Sequence, residues 1–136
     1  MDGEWIVQTD GASRGNPGAA SIGAVVYDPK GREAHTVSER IGHATNNEAE
    51  YLAAIAGLEA ALALGATRVR LRMDSELVVR QLEGRYKVRH PRLQPLFGQL
   101  LDLRRRFEGF RAEAVPRAQN KRADQLANMA LDSVDS

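Results

Sequence analysis

The chain has 136 residues and a formal net charge of +1, with 43% hydrophobic and 27% charged side chains. That length suits one domain, and the composition suits a globular core that needs no staples. With no cysteine present, disulfides, zinc–thiolate sites and cysteine nucleophiles are excluded.

Trp5 to Thr9 is rich in β-formers, reads as a first strand and is closed by Asp10. The segment from Gly11 to Gly18 holds Gly, Ser, Asn and Pro and reads as a turn. A second strand is expected from about Ala20 to Tyr27, then a hairpin turn at Asp28-Pro29-Lys30-Gly31. A more polar third strand follows from about Arg32 to Ile41.

Thr45 or Asn46 caps a long helix, and Glu48 stands three residues after Thr45, a capping-box pattern. Leu52, Ile55, Ala56, Leu58, Leu62 and Ala63 recur at helical spacing, and Gly65 ends the helix. Val69, Leu71 and Met73 alternate with arginines, which predicts a strand with one buried face. Asp74-Ser75 caps a short helix to about Leu82, stopped by Gly84.

Residues 85–91 read as a basic, irregular connection. A helix from about Leu93 to Phe107 places Leu93, Leu96, Phe97, Leu100, Leu101 and Leu103 largely on one side. A short strand from Phe110 to Val115, a loop from Pro116 to Asn120, and a last helix from about Lys121 to Leu131 complete the chain. The tail, about 132–136, is expected to fray. The order predicts an α/β fold: a mixed five-stranded sheet, with an antiparallel meander and parallel strands, flanked by helices in a single domain over 1–136.

No stretch of about 18 apolar residues is present, so no membrane span is expected. Met1-Asp2-Gly3-Glu4 lacks a basic region followed by an apolar one, so no signal peptide is expected. With the absence of cysteine, this points to the cytoplasm. Charge is unevenly spread. Residues 1–64 carry 4 basic and 9 acidic side chains, and residues 85–111 carry 8 basic and 2 acidic ones. The basic sector (Arg85, Lys87, Arg89, Arg92, Arg104, Arg105, Arg106 and Arg111) suits contact with a polyanion. A solvated arginine-rich surface has the same composition.

Asp10 ends the first predicted strand and Asp74 the fourth, whereas Glu50 and Asp124 lie in the predicted first turns of two helices. Strand ends and helix starts are where ligand crevices form in open sheets. Four converging carboxylates repel one another unless cations neutralise them or their pKa values rise. Oxygen donors without a thiolate or a histidine pair favour magnesium or manganese over zinc. Each acid also has a plainer reading, as a helix-dipole partner or a turn residue.

Four segments carry a family resemblance. They are Thr9 to Gly18, Thr45 to Glu50, Met73-Asp74-Ser75, and Asn120 to Ala127. In this order the chain resembles type 1 ribonuclease H from about residue 5 to residue 131. The resemblance implies a metal-dependent endonuclease that cuts the RNA strand of RNA/DNA hybrids, leaving 5′-phosphate and 3′-hydroxyl ends. It implies Mg2+, two ions with substrate, with Mn2+ as a substitute. Asp10, Glu50, Asp74 and Asp124 match the family's catalytic and metal-binding carboxylates. Glu48 falls to a cap or surface role.

Substrate contact is then expected from Gly11, Ala12, Ser13, Arg14, Gly15 and Asn16, from Thr45, Asn46 and Asn47, and from Ser75, Arg117 and Asn120. Amides and backbone groups can meet a 2′-hydroxyl as donor and acceptor. Arg80, Arg85, Lys87, Arg89 and Arg92 offer contacts to the DNA backbone. Tyr86 packs on a sugar or braces its connection; the sequence leaves both open. Many family members carry a mobile histidine before the last helix. Here that loop has none, and Arg117 is its nearest substitute. Arginine can stabilise a phosphate but cannot shuttle a proton near neutrality. His35, His43 and His90 do not cluster, and Trp5 and Phe97 are expected in the core. No membrane and no obligate protein partner are implied, and a monomer is expected. The alternatives are a noncatalytic hybrid-binding module, another nuclease of the same superfamily, or a protein-interaction domain built on the leucine-rich helix.

Overall fold

The computed structural model describes residues 3–132, so most of the tail expected to fray lies outside the described residues. Five strands, β1 (Trp5–Arg14), β2 (Gly18–Tyr27), β3 (Glu33–Ala44), β4 (Arg68–Met73) and β5 (Gly109–Ala114), form one sheet. Their order is β3-β2-β1-β4-β5. β1, β2 and β3 pair antiparallel, whereas β4 runs parallel to β1 and β5 parallel to β4. This is the mixed sheet expected.

The helices are α1 (Asn46–Ala63), α2 (Glu76–Leu82), α3 (Gln94–Arg105) and α4 (Lys121–Asp132), with a 3₁₀ turn at Arg117–Gln119. α1 lies on β1 and β2 with α3 packed behind it, and α4 lies on β1, β2 and β3. The main core joins Val7, Val69, Leu71 and Met73 of the sheet to Tyr51, Ala54 and Leu58 of α1 and Leu100 and Leu103 of α3.

Three expectations shift. Gly11 to Arg14 are not a turn but extend β1, paired residue for residue with Ala19 to Ile22. The ladder satisfies their backbone groups, which outweighs the weak strand propensity of Gly and Ser. The turn shrinks to residues 15–17, where Gly15 takes φ 91°. The buried residues of α1 are chiefly Ala49, Tyr51, Ala53, Ala54, Ile55, Leu58 and Ala61, whereas Leu52, Ala56 and Leu62 are half-buried and Ala63 is exposed. Small side chains let this helix approach the sheet closely. In α3 only Leu100 and Leu103 are buried, with Leu93 and Phe107 buried just beyond its two ends.

α4 is fastened by polar bonds as well as by apolar contact. Ser21 Oγ donates to the Ala127 carbonyl at 2.5 Å and Ser38 Oγ to that of Leu126 at 2.6 Å. Arg40 Nε donates to the Ala130 carbonyl near the helix C-terminus at 3.0 Å. A cation there also complements the helix dipole. Gly23 permits the close approach, because a Cβ at that position would lie 2.3 Å from the Ala123 carbonyl oxygen.

The start of β1 is clamped across the sheet. Glu4 accepts from Arg111 Nε at 2.7 Å and from Arg70 Nη2 at 2.9 Å. Hydrogen bonding from Arg111, with Arg70 adding to it, lowers the Glu4 carboxyl from 4.5 to about 2. A depressed carboxylate stabilises the fold fully above the unfolded value and loses that contribution as pH falls towards the folded one. Glu4→Gln is therefore expected to cost roughly 0.5–1 kcal/mol at pH 7. Denaturant melts of both proteins from pH 7 down to pH 3 check this. The difference should hold above about pH 4.5 and shrink below it.

Candidate active site

Asp10 sits inside β1 opposite Gly23 of β2, not at the strand end, and is 6% exposed. Asp74 follows the last residue of the parallel neighbour β4. The β1–β4 pairing thus brings two acids distant in sequence to one end of the sheet.

α1 delivers the third acid. Thr45 caps the helix through both halves of the capping box: its hydroxyl accepts from the Glu48 N–H at 3.1 Å, and Glu48 Oε1 accepts from the Thr45 N–H at 2.9 Å. Glu48 is the cap residue expected. Because the helix begins at Asn46, Glu50 falls just beyond the first turn and not within it. Glu50 Oε1 accepts the Gly11 N–H at 2.6 Å. A Cβ at Gly11 would lie 2.2 Å from the Ala49 carbonyl carbon. Glycine at this position is what lets α1 lie against β1 and Glu50 reach its neighbours.

Asp10, Glu50 and Asp74 each offer a carboxylate oxygen, and these oxygens all lie within 4.8 Å of one another. Asp124 approaches from α4, within hydrogen-bond reach of Asp10. A cavity of about 280 Å³ opens over Asp10, Asp74 and Asp124, walled by Ala12, Ser13, Asn46, Arg117 and Asn128. Burial pushes the Asp10 carboxyl far up, and the charges of Glu50, Asp74 and Asp124 push it further. Burial likewise raises Glu50 to about 8, partly opposed by the Gly11 N–H and reinforced by Asp74. Carboxylates held this way fit a divalent cation, which lifts the repulsion and takes hard oxygen donors.

The expected substrate residues divide. Ala12, Ser13, Asn46 and Arg117 line the cavity, with Arg117 79% exposed and 3.6 Å from Asp124. Asn16 Oδ1 accepts the Asn46 N–H at 3.0 Å, and Asn46 Oδ1 accepts the Ser13 N–H at 3.1 Å. These bonds tie the β1–β2 turn to the start of α1. Thr45 and Ser75 both cap helices through their hydroxyl oxygens, and the Thr45 hydroxyl also hydrogen-bonds the Glu48 carboxylate. Asn47 is exposed, Gly15 shapes the turn, and Arg14 pairs with Asp132.

Two expectations meet atoms that are already engaged. The Gly11 N–H is taken by Glu50 and is not free for substrate. Asn120 is 0% exposed, and its Nδ2 donates to the Thr9 carbonyl at 2.9 Å. It braces β1 against the start of α4, so it does not face the cavity. The basic sector also splits. Arg104 donates to the Leu82 carbonyl and Arg111 to Glu4, whereas Arg92 pairs with Glu48 beside the start of α1.

Sequence reasoning missed two features. Asn128 lines the cavity; its signal was its place four residues after Asp124, the same helix face. Gln119 was passed over too. Its backbone carbonyl accepts from Gln8 Nε2 at 3.2 Å and its Oε1 accepts from Arg72 Nη2 at 3.3 Å, so the sheet holds the loop that carries Arg117.

A mixed sheet in this order, flanked by these helices and with acids gathered over β1 and β4, is the ribonuclease H-like fold. Residues 8–130 match the family described as Reverse transcriptase-like. The chain is 49% identical over 129 residues to the Bifunctional protein Rv2228c of Mycobacterium tuberculosis, covering 94% of this chain and 35% of that protein. It superposes on RNase H1 of the archaeon Halobacterium salinarum with a TM-score of 0.94 at 44% identity, covering 97% of this chain and 100% of that one. For LC11-RNase H1, solved in complex with an RNA/DNA hybrid, the TM-score is 0.91 at 43% identity, covering 97% and 99%. The chain belongs to the ribonuclease HI family. It spans about a third of the length of its mycobacterial relatives.

Raised carboxyls make metal-free stability depend on pH. The unfolded chain releases these protons first, so stability falls as pH rises from about 5 through about 8. Asp10→Asn removes one of the repelling groups. In EDTA its melting temperature is expected to exceed that of the parent by a few degrees at pH 8, with a smaller gap at pH 5. Parallel melting curves across that range would contradict a repelling cluster.

Proposed function

We propose that this chain is a divalent-metal-dependent endonuclease that hydrolyses the RNA strand of RNA/DNA hybrids to 5′-phosphate and 3′-hydroxyl products. The convergence of Asp10, Glu50 and Asp74 from three separate elements, with Asp124 beside Asp10, carries this reading. Family membership and the hybrid-bound LC11 relative support it.

Asp10, Glu50, Asp74 and Asp124 would hold the cations, Mg2+ in two positions with substrate, or Mn2+ in its place. When bound, such ions activate water and offset charge on the departing 3′-oxygen. The protein's own part is positional. Glu50 is fixed by the Gly11 N–H, and Asp10 by the β1 ladder. Asn16, Asn46 and Asn47, with backbone groups of Ala12 and Ser13 other than the Ser13 N–H that Asn46 holds, would meet 2′-hydroxyls of the RNA strand. Ser75 would donate to a phosphate of the other strand, Thr45 would do so in exchange for the Glu48 carboxylate it bonds, and Arg92 offers charge near the start of α1. Arg117 stays charged beside Asp124 and can stabilise the reacting phosphate. We read residues 1–136 as one such domain, working as a monomer in the cytoplasm. No described helix is long and apolar enough to cross a membrane.

The decisive assay incubates the protein with end-labelled RNA·DNA, RNA·RNA and DNA·DNA duplexes in magnesium or manganese. Cutting confined to the RNA strand of the hybrid is expected, and Asp10→Asn should reduce it by at least roughly 10²-fold. Unchanged cutting by Asp10→Asn would overturn the assignment.

In the same assay Arg117→Ala is expected to slow turnover roughly tenfold without abolishing cleavage. Unaltered kcat and KM would remove Arg117 from the mechanism.

A further inference from the structure

Asp124 does not share the tight grouping of the other acids. Among the described residues, Asp10, Glu50 and Asp74 form the set whose oxygens lie within 4.8 Å, and Asp124 is outside it. Yet Asp124 lines the same cavity and lies within hydrogen-bond reach of Asp10. A hard divalent cation takes six or more oxygens. A cation between Asp10 and Asp124 would find few from carboxylates alone.

The next oxygen on that wall belongs to Asn128. It stands one helical turn beyond Asp124 on α4, is half-buried, and lines the cavity that Asp124 lines. Its Nδ2 donates to the Asp124 backbone carbonyl at 3.0 Å. That bond anchors the amide and leaves Oδ1 without a protein partner among the described residues. An amide adds an oxygen donor without adding negative charge to a cluster already crowded with it.

We propose that Asn128 lends its Oδ1, directly or through a water, to a divalent cation held by Asp10 and Asp124. This rests on the reading of the acid cluster as a cation site. Asn128 is then a positioning residue: it tunes how firmly a cation sits at the Asp124 side of the cavity, where Arg117 is the competing positive neighbour.

The test is Mn2+ titration of the free protein by calorimetry, with electron paramagnetic resonance of bound Mn2+, for the parent, Asn128→Ala, Asn128→Asp and Asp10→Asn. Melts in EDTA confirm that each variant folds. Asn128→Ala is expected to weaken Mn2+ binding roughly tenfold. Asn128→Asp is expected to tighten it severalfold, because a carboxylate adds charge at the same distance. Both substitutions remove the same N–H donor, so loss of the helix bond alone would move them together. If both leave Mn2+ binding unchanged while Asp10→Asn abolishes it, the cation site stands and the role of Asn128 is refuted. If the parent binds no Mn2+, both readings fall.

Discussion

Everything at this site depends on holding carboxylates closer together than they would stay by themselves. Asp10 and Glu50 are both withdrawn from water; the charge of Glu50 makes Asp10 harder to ionise, and that of Asp74 does so for both. The fold counters that cost at one point above all, the Gly11 N–H that Glu50 accepts at 2.6 Å. A buried carboxylate that accepts a backbone N–H is stabilised in its charged form. That bond exists because Gly11 has no side chain to hold α1 away from β1. A single missing Cβ therefore sets both the packing of the largest helix on the sheet and the location of one acid.

The opposite face repeats the arrangement with different chemistry. α4 is held by Ser21, Ser38 and Arg40 on β2 and β3, and the chain leading into it is held at Asn120 by the Thr9 carbonyl. Thr9 directly precedes Asp10, so the brace that locates α4 acts on the strand position next to the central acid. Gln8, one residue earlier, grips Gln119. Three consecutive residues of β1 thus serve the last loop, the last helix and the cluster. The loop carrying Arg117 is secured at its far end, while Arg117 itself is left exposed to the cavity. A fixed base with an exposed guanidinium, 3.6 Å from Asp124, suits the phosphate contact proposed for Arg117.

Charge is organised by the same economy. Arg70 of β4 and Arg111 of β5 close on Glu4 beside the start of β1, and Arg104 joins α3 to the end of α2. These arginines belong to the fold. Arg92, paired with Glu48 at the start of α1, lies beside Thr45, the segment expected to meet nucleic acid. The net charge of residues 85–111 overstated the basic surface, since some of its arginines serve internal bonds.

Much was legible before any coordinates. The strand and helix order, the capping box at Thr45 and Glu48, the helix stop at Gly65 and the identities of the gathered acids follow from local periodicity, capping chemistry and recognisable segments. These are short-range properties, written within a few residues of where they act. What the sequence could not place was long-range. Gly11 to Arg14 became strand because β2 supplied a partner for each residue, and Asn120 became a buried brace because the Thr9 carbonyl lay 111 residues away in sequence and 2.9 Å away in space. Asn128 gained a place in the cavity only once α4 had settled on β2. The sequence by itself determined which elements form and named the acids that gather. The tertiary structure alone decided how close those acids come, which donors are already engaged and which remain for a ligand, because distance, burial and hydrogen-bond pairing arise only when remote segments meet.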